Sequence, residues 1–160
     1  MGRKSIMILT KDMRELTAVF EKHAVEYALV GGGAVIYYGY TRTTQDIDFL
    51  VNPSESNLPK VLSALEEFGF PPTEQLEEFF STTGNALHLG IEPNRIDLLT
   101  SLAGIENEQI FENVEKVELG EWTVSIISLS DLLKSKRSTG RLKDLADVEE
   151  LEKIQNDSIQ

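Results

Sequence analysis

The spacing of apolar residues changes period several times along the chain. Met13, Leu16, Val19 and Phe20 fall three and four apart, which predicts a helix from Thr10 to His23. Thr10 is its candidate cap, and Asp12 lies in the first turn. Tyr27-Ala28-Leu29-Val30 is an unbroken apolar run that stops at Gly31-Gly32-Gly33, the pattern of a buried strand entering a tight turn. A short helix from Ala34 to Tyr38 then ends at Gly39. Asp46 to Val51 reads as a second strand bounded by Asn52-Pro53. Apolar positions 58, 61, 62, 65 and 68 predict an amphipathic helix from Leu58 to Phe68. Past Pro71-Pro72, residues 74–80 either extend it or form a second short helix.

Ala86 to Ile91 and Arg95 to Leu99 read as strands joined by a hairpin turn at Glu92-Pro93-Asn94. A helix follows from Glu106 to Asn113. Val114 to Leu119 and Thr123 to Ile127 flank Gly120-Glu121 as another hairpin, with alternation at Val117, Leu119, Val124 and Ile126. Ser130 is a candidate cap for a helix over about 131–138, and Leu142 to Ile154 is the last helix. Strands and helices interleave with hairpins between them. That order predicts an α/β (α+β) protein with a mixed β-sheet flanked by helices, not a doubly wound parallel sheet. One domain is expected over residues 1–160, with a core at about 27–128 and a helical C-terminal part at about 129–154.

Composition narrows the chemistry. With 41% hydrophobic and 26% charged residues, the chain reads as globular rather than disordered. It has no cysteine, which excludes disulfides, thiolate zinc sites and cysteine nucleophiles. Twenty-seven acidic against 15 basic side chains leave a net charge of −12. That excess argues against an outer surface that grips nucleic acid nonspecifically through its phosphates. The first residues carry charge on both sides of the short apolar run Ile6 to Leu9, so neither a secretory core nor a membrane span of about 20 residues is expected there. A cytoplasmic location is the expectation.

Three features point to chemistry. Gly31-Gly32-Gly33 between a strand and a helix allows positive φ and close approach of backbone N–H groups to a ligand. The following helix start favours an anionic group such as phosphate. With no glycine from position 34 to position 38, the segment is not a dinucleotide fingerprint. Asp46 and Asp48 alternate on one strand and so share a face. Carboxylates about 7 Å apart along a strand repel unless a cation lies between them, and hard oxygen ligands suit Mg²⁺. Asp97 stands inside the apolar strand Arg95-Ile96-Asp97-Leu98-Leu99, where a carboxylate is costly unless it pairs, for instance with Arg95, or binds a metal.

Together these residues resemble the nucleotidyltransferase superfamily, whose best-known relative is DNA polymerase beta. The shared pattern is a hydrophobic residue and Gly-Gly, a spacer, Asp-hydrophobic-Asp, and a third carboxylate on a later strand. Here it falls on Val30-Gly31-Gly32, Asp46-Ile47-Asp48 and Asp97. Gly39, Arg42 and Thr44 fit the small bacterial members. So does the C-terminal run from Lys134 and Lys136 through Arg141, Lys143, Asp144 and Asp147. The resemblance spans about residues 27–150 and is nearest to abortive-infection (AbiEii-like) and minimal nucleotidyltransferases, often found with toxin–antitoxin systems. The extra Gly33 is a departure, as is the lack of the serine that many active relatives place beside the glycines.

The resemblance implies Mg²⁺-dependent transfer of a nucleoside monophosphate from a nucleoside triphosphate to a hydroxyl acceptor, with release of pyrophosphate. Asp46 and Asp48 would hold two Mg²⁺ ions, with Asp97 completing the acceptor-side site. Gly31 and Gly32 would cradle the terminal phosphates. Lys134, Lys136, Arg137, Arg141 and Lys143 form a basic run with no acid among them, and Lys136 and Lys143 are the candidates to meet the triphosphate. Arg42 would contact phosphate or pair with an acid such as Asp46. Lys143, Asp144 and Asp147 could equally form an ion-pair network in the wall of the site.

Tyr37, Tyr38, Tyr40 and Trp122 read as core or rim aromatics, and His88 as a packed or surface histidine rather than a ligand. The acceptor class stays open among protein, an RNA end and a small molecule. A different class of function is an antitoxin or other partner-binding protein of a toxin–antitoxin type system that keeps this fold.

Overall fold

The computed structural model describes residues 10–44, 46–91 and 94–159. Ile6 to Leu9 and the Glu92-Pro93 part of the expected turn lie outside them. Among the described residues the chain runs α1 (Lys11–Lys22), β1 (Tyr27–Val30), α2 (Gly31–Tyr37), β2 (Asp46–Val51), α3 (Leu58–Phe68), α4 (Glu74–Phe79) and β3 (Ala86–Leu89). It continues through β4 (Arg95–Leu99), α5 (Asn107–Asn113), β5 (Glu115–Leu119), β6 (Trp122–Ile126), α6 (Leu129–Thr139) and α7 (Leu142–Ile159). No helix is long and apolar enough to cross a membrane among these residues.

The strands form one sheet in the order β3-β4-β2-β1-β6-β5. β1 is antiparallel to β2 and parallel to β6, β2 is parallel to β4, and the two outer pairs are antiparallel. This is the mixed sheet with helices that the order of elements predicts. All four residues of β1 are buried. Successive strand side chains point to opposite faces, so both faces of the sheet are covered there. That is why Tyr27 to Val30 is an unbroken apolar run instead of an alternating one.

The core forms where α1 packs on α3 and β6, and α2 on β1 and β2. Met13, Leu16 and Phe20 supply the buried stripe of α1, whose Thr10 hydroxyl caps it by accepting from the Met13 N–H. Phe20 and Tyr27 rings lie 5.0 Å apart, and Tyr27 meets Phe49 edge-on at 5.9 Å. Full burial of each such ring contributes about 1.5–3 kcal/mol. The Tyr27 hydroxyl donates to Glu21 at 2.7 Å and accepts from the Ser125 N–H at 3.1 Å.

Several boundaries differ from the sequence expectation. α2 begins at Gly31, not Ala34, so the three glycines form its first turn. Space explains the glycines: a Cβ on Gly33 would lie 3.0 Å from Leu29 and 3.1 Å from Ile47, and the other two are equally confined. The last-but-one helix is capped by Ser128, which accepts from the Asp131 N–H at 3.2 Å, rather than by Ser130. Ser130 becomes part of the helix because β6 ends at Ile126 and the chain turns two residues later. α7 also continues past Ile154 to Ile159, and β3 stops at Leu89, where Gly90 takes a positive φ of 81°.

Candidate metal and nucleotide site

Parallel pairing of β2 and β4 sets Asp46 beside Arg95 and Asp48 beside Asp97. Val30, the last residue of β1, pairs with Asp48 from the other side. The chain then turns at once into α2, whose start no side chain caps. Asp46, Asp48 and Asp97 each present an oxygen, and all three oxygens lie within 4.8 Å of one another. Gly31 (φ +61°) passes so near that a Cβ there would collide with the Asp48 carboxylate. Here both the left-handed backbone and the close approach require glycine.

Arg95 pairs with two of the acids. Its guanidinium reaches Asp46 at 2.6 Å and Asp97 at 2.9 Å. The pairing with Arg95 that the sequence offered as the alternative to a metal role is therefore present, and the three acids converge as well. Three carboxylates against one guanidinium leave negative charge in excess. Asp48 carries the consequence: burial first, then the charges of Asp46 and Asp97, raise its carboxyl to about 7. For Asp97 burial works upward too, but hydrogen bonds with His88, Arg95 and Asp48 prevail and hold it below the ordinary range.

His88 is the residue the sequence missed. It lies on β3 opposite Asp97, and its Nδ1 sits 2.6 Å from Asp97 Oδ1. The hydrogen bond from Thr100 N–H to the Asn85 carbonyl fixes the alternation of the β3–β4 ladder. Counting from there, His88 and Asp97 form a non-hydrogen-bonded pair, the kind whose side chains stand closest. The visible signal was only the matching lengths of two strands around a short turn.

The basic residues are placed differently from the acids. Arg42 grips Asp147, not Asp46, through Nε at 2.9 Å and Nη2 at 3.0 Å. Lys136 is buried, with its ammonium 3.0 Å from both Asp144 and Asp147. Arg141 joins Asp144 at 2.7 Å, and Arg137 pairs with Glu152 at 2.7 Å. Burial raises the Asp144 carboxyl, but hydrogen bonds from Thr139 and Lys136 outweigh it, and its pKa falls to about 2. Lys143 is exposed and makes no ion pair among the described residues. Gly32 lies against this network: a Cβ on it would meet Thr44 Oγ1 at 2.9 Å and Arg42 Nη2 at 3.2 Å. The Tyr38 hydroxyl donates to the Ile127 carbonyl at 2.7 Å and is part of the packing.

The donors fit a hard divalent cation: three convergent carboxylates, with a guanidinium marking a place where positive charge is already favoured. A family described as "Nucleotidyltransferase of unknown function (DUF6036)" matches residues 4–159. The chain belongs to this family. No curated protein matches it significantly. Membership agrees with the superfamily resemblance carried by Val30-Gly31-Gly32, Asp46-Ile47-Asp48 and Asp97. The nucleotidyltransferase match stops short of the abortive-infection subtype.

Proposed function

We propose that the protein transfers a nucleoside monophosphate from a nucleoside triphosphate to a hydroxyl acceptor and releases pyrophosphate. The observation that carries this reading is the convergence of Asp46, Asp48 and Asp97 beside the glycine start of α2, in a chain of a nucleotidyltransferase family. Asp46 and Asp48 would hold Mg²⁺, with Asp97 on the acceptor side. Bound Mg²⁺ supplies positive charge for the attacking and leaving oxygens of the phosphoryl group.

The chain's own residues do the rest. Asp97 is oriented by His88 at one carboxylate oxygen and by Arg95 at the other, and a remaining lone pair of that carboxylate would accept the acceptor hydroxyl's proton. The bond that forms joins the acceptor oxygen to the α-phosphorus, and the bond that breaks releases pyrophosphate. Gly31 and Gly32 offer backbone N–H groups to the terminal phosphates without a side chain in the way. Lys136 faces the cleft beside Asp48 while remaining anchored to Asp144 and Asp147. It contributes fixed positive potential. Lys143 is free to swing to a phosphate.

The test is incubation of the protein with each labelled nucleoside triphosphate and Mg²⁺, followed by assay of pyrophosphate and of labelled protein, RNA and small molecules. Pyrophosphate release that disappears in Asp46→Ala supports the reading. No nucleotide binding and no turnover, with wild type indistinguishable from Asp46→Ala, overturns it. Stoichiometric co-purification with a protein partner would then favour the antitoxin or partner-binding function.

A further inference from the structure

A pocket of about 260 Å³ lies at the other end of β1 from the carboxylate cluster. Tyr27 begins that strand beside the pocket, whereas Val30 ends it beside Asp48. Buried Val25 and Ser125 line it with Tyr27, and half-buried Phe111 and Val114 add apolar surface. Exposed Glu26 and Lys116 leave it open to solvent. It shares no residue with the metal and nucleotide site.

Charge in this pocket is unbalanced. Glu21 and Glu26 bring two carboxylates to it, and Lys116 is the one ammonium in its described lining. The basic side chains at the end of α1 turn elsewhere: Lys22 and His23 both reach Glu67, at 3.0 and 2.9 Å. α1 also ends at Lys22, so the partial negative charge of its C-terminus falls beside the pocket. Glu21 is held in place by neutral donors. Its Oε2 accepts from the Tyr27 hydroxyl at 2.7 Å and from the Ser125 hydroxyl at 3.1 Å. Its Oε1 accepts from Lys116 at 3.1 Å. A carboxylate offers about four acceptor positions, so Oε1 can take a further donor. The Glu21 side chain is 19% exposed and that of Lys116 70%, so a lysine on a solvated stem already lays an alkylammonium group on a sheltered carboxylate.

These surfaces fit one class of ligand. A positive group answers the two carboxylates, and an aliphatic stem answers Val25, Phe111 and Val114. The volume approaches the roughly 300–1,000 Å³ of small-molecule sites, enough for a whole small molecule instead of a side-chain tip. We propose that this pocket binds a free small organic cation of the alkylammonium or alkylguanidinium type, with its charged group on Glu21 where Lys116 now rests. The inference is independent of the nucleotidyl-transfer reading.

The test is an amide NMR titration of the full chain with putrescine at constant ionic strength, with butanediol as its uncharged analogue. Putrescine is expected to shift the amides of Ala24, Lys116 and Ser125 saturably, and butanediol to leave them in place. Lys116→Met removes the internal competitor and should tighten putrescine binding up to about fivefold, the range of an exposed ion pair. Glu21→Gln keeps an acceptor for Tyr27 and Ser125 and should weaken binding at least about tenfold, the loss of a charged hydrogen bond. No saturable shift in both wild type and Lys116→Met overturns the proposal, as does equal binding of butanediol, and neither result depends on a Glu21 variant. A folded Glu21→Gln that binds as wild type does also overturns it. Tighter binding of the blocked peptide acetyl-Gly-Lys-Gly-amide than of putrescine would give the pocket to a protein side chain and overturn the assignment to a free cation.

Discussion

On the sheet, the guanidinium of Arg95 pairs with two of the three clustered acids, Asp46 and Asp97. On α7, Asp144 and Asp147 are met by Lys136, Arg42 and Arg141. Both groups are built from aspartates and cations, with Asp144 and Asp147 buried and Asp46 and Asp48 half-buried, and Lys136 lies close enough to Asp48 to lower its pKa against the other influences. Their protonation diverges nonetheless: Asp48 is pushed up to about 7, and Asp144 is drawn down to about 2. The α7 network is complete and needs nothing added. The sheet cluster is under-compensated, and one divalent ion would correct it. Shortage of positive charge, not acidity itself, separates a site from a structural ion-pair network.

The largest effects come from emptying each group in turn. Asp48→Asn should lower nucleotide-dependent pyrophosphate release at least about 10²–10³-fold, the scale of losing a principal electrostatic stabiliser, while the circular-dichroism spectrum is kept. Asp147→Ala should do the opposite. It strips Arg42 and Lys136 of a shared buried partner and should cost about 3–5 kcal/mol in urea unfolding. Arg95→Met sharpens the comparison, because it deepens the charge deficit. Divalent-metal affinity should rise up to roughly tenfold by titration calorimetry, since the ion no longer competes with a charged hydrogen bond.

Acid and base should also separate the two groups in the metal-free protein. Folded Asp48 keeps a proton that the unfolded chain releases near the ordinary 3.8, so stability falls as pH rises from there to about 7. Asp48→Asn should flatten that window and raise Tm at pH 8 by about 3 °C for each ~1 kcal/mol recovered. Asp144 has the reverse sign: its contribution is present above 3.8 and is lost as pH falls towards about 2. The smallest effect is expected at Lys143, exposed and without an ion pair among the described residues. Lys143→Ala should leave stability within about 0.5 kcal/mol, so a fall in nucleotide affinity there reports binding alone.

Much of this was visible in the chain. Tyr27 to Val30, Asp46 to Val51 and Arg95 to Leu99 are strands with the expected bounds because their apolar runs end in glycine, proline or charge. The three acids were legible for a physical reason: a carboxylate inside an apolar strand has few tolerable explanations. Partner choice was not legible. Arg42 finds Asp147, 105 residues away, instead of nearby Asp46, because α7 returns along the site. His88 meets Asp97 only through the register of β3 on β4, which the sequence spacing does not set alone. The helical start at Gly31 ran against glycine's low helix propensity. Close approach of Asp48, Thr44 and Leu29 to the three glycines overrides it.

The central claim is that the sheet cluster is an incomplete charge arrangement that a divalent ion completes. Titration of the metal-free protein with Mn²⁺, followed by the electron paramagnetic resonance signal of the free ion, tests it most directly. Wild type and Asp147→Asn should both take up Mn²⁺, and Asp48→Asn should lose that binding while remaining folded. Equal uptake by wild type and Asp48→Asn, or none by wild type, would contradict the account.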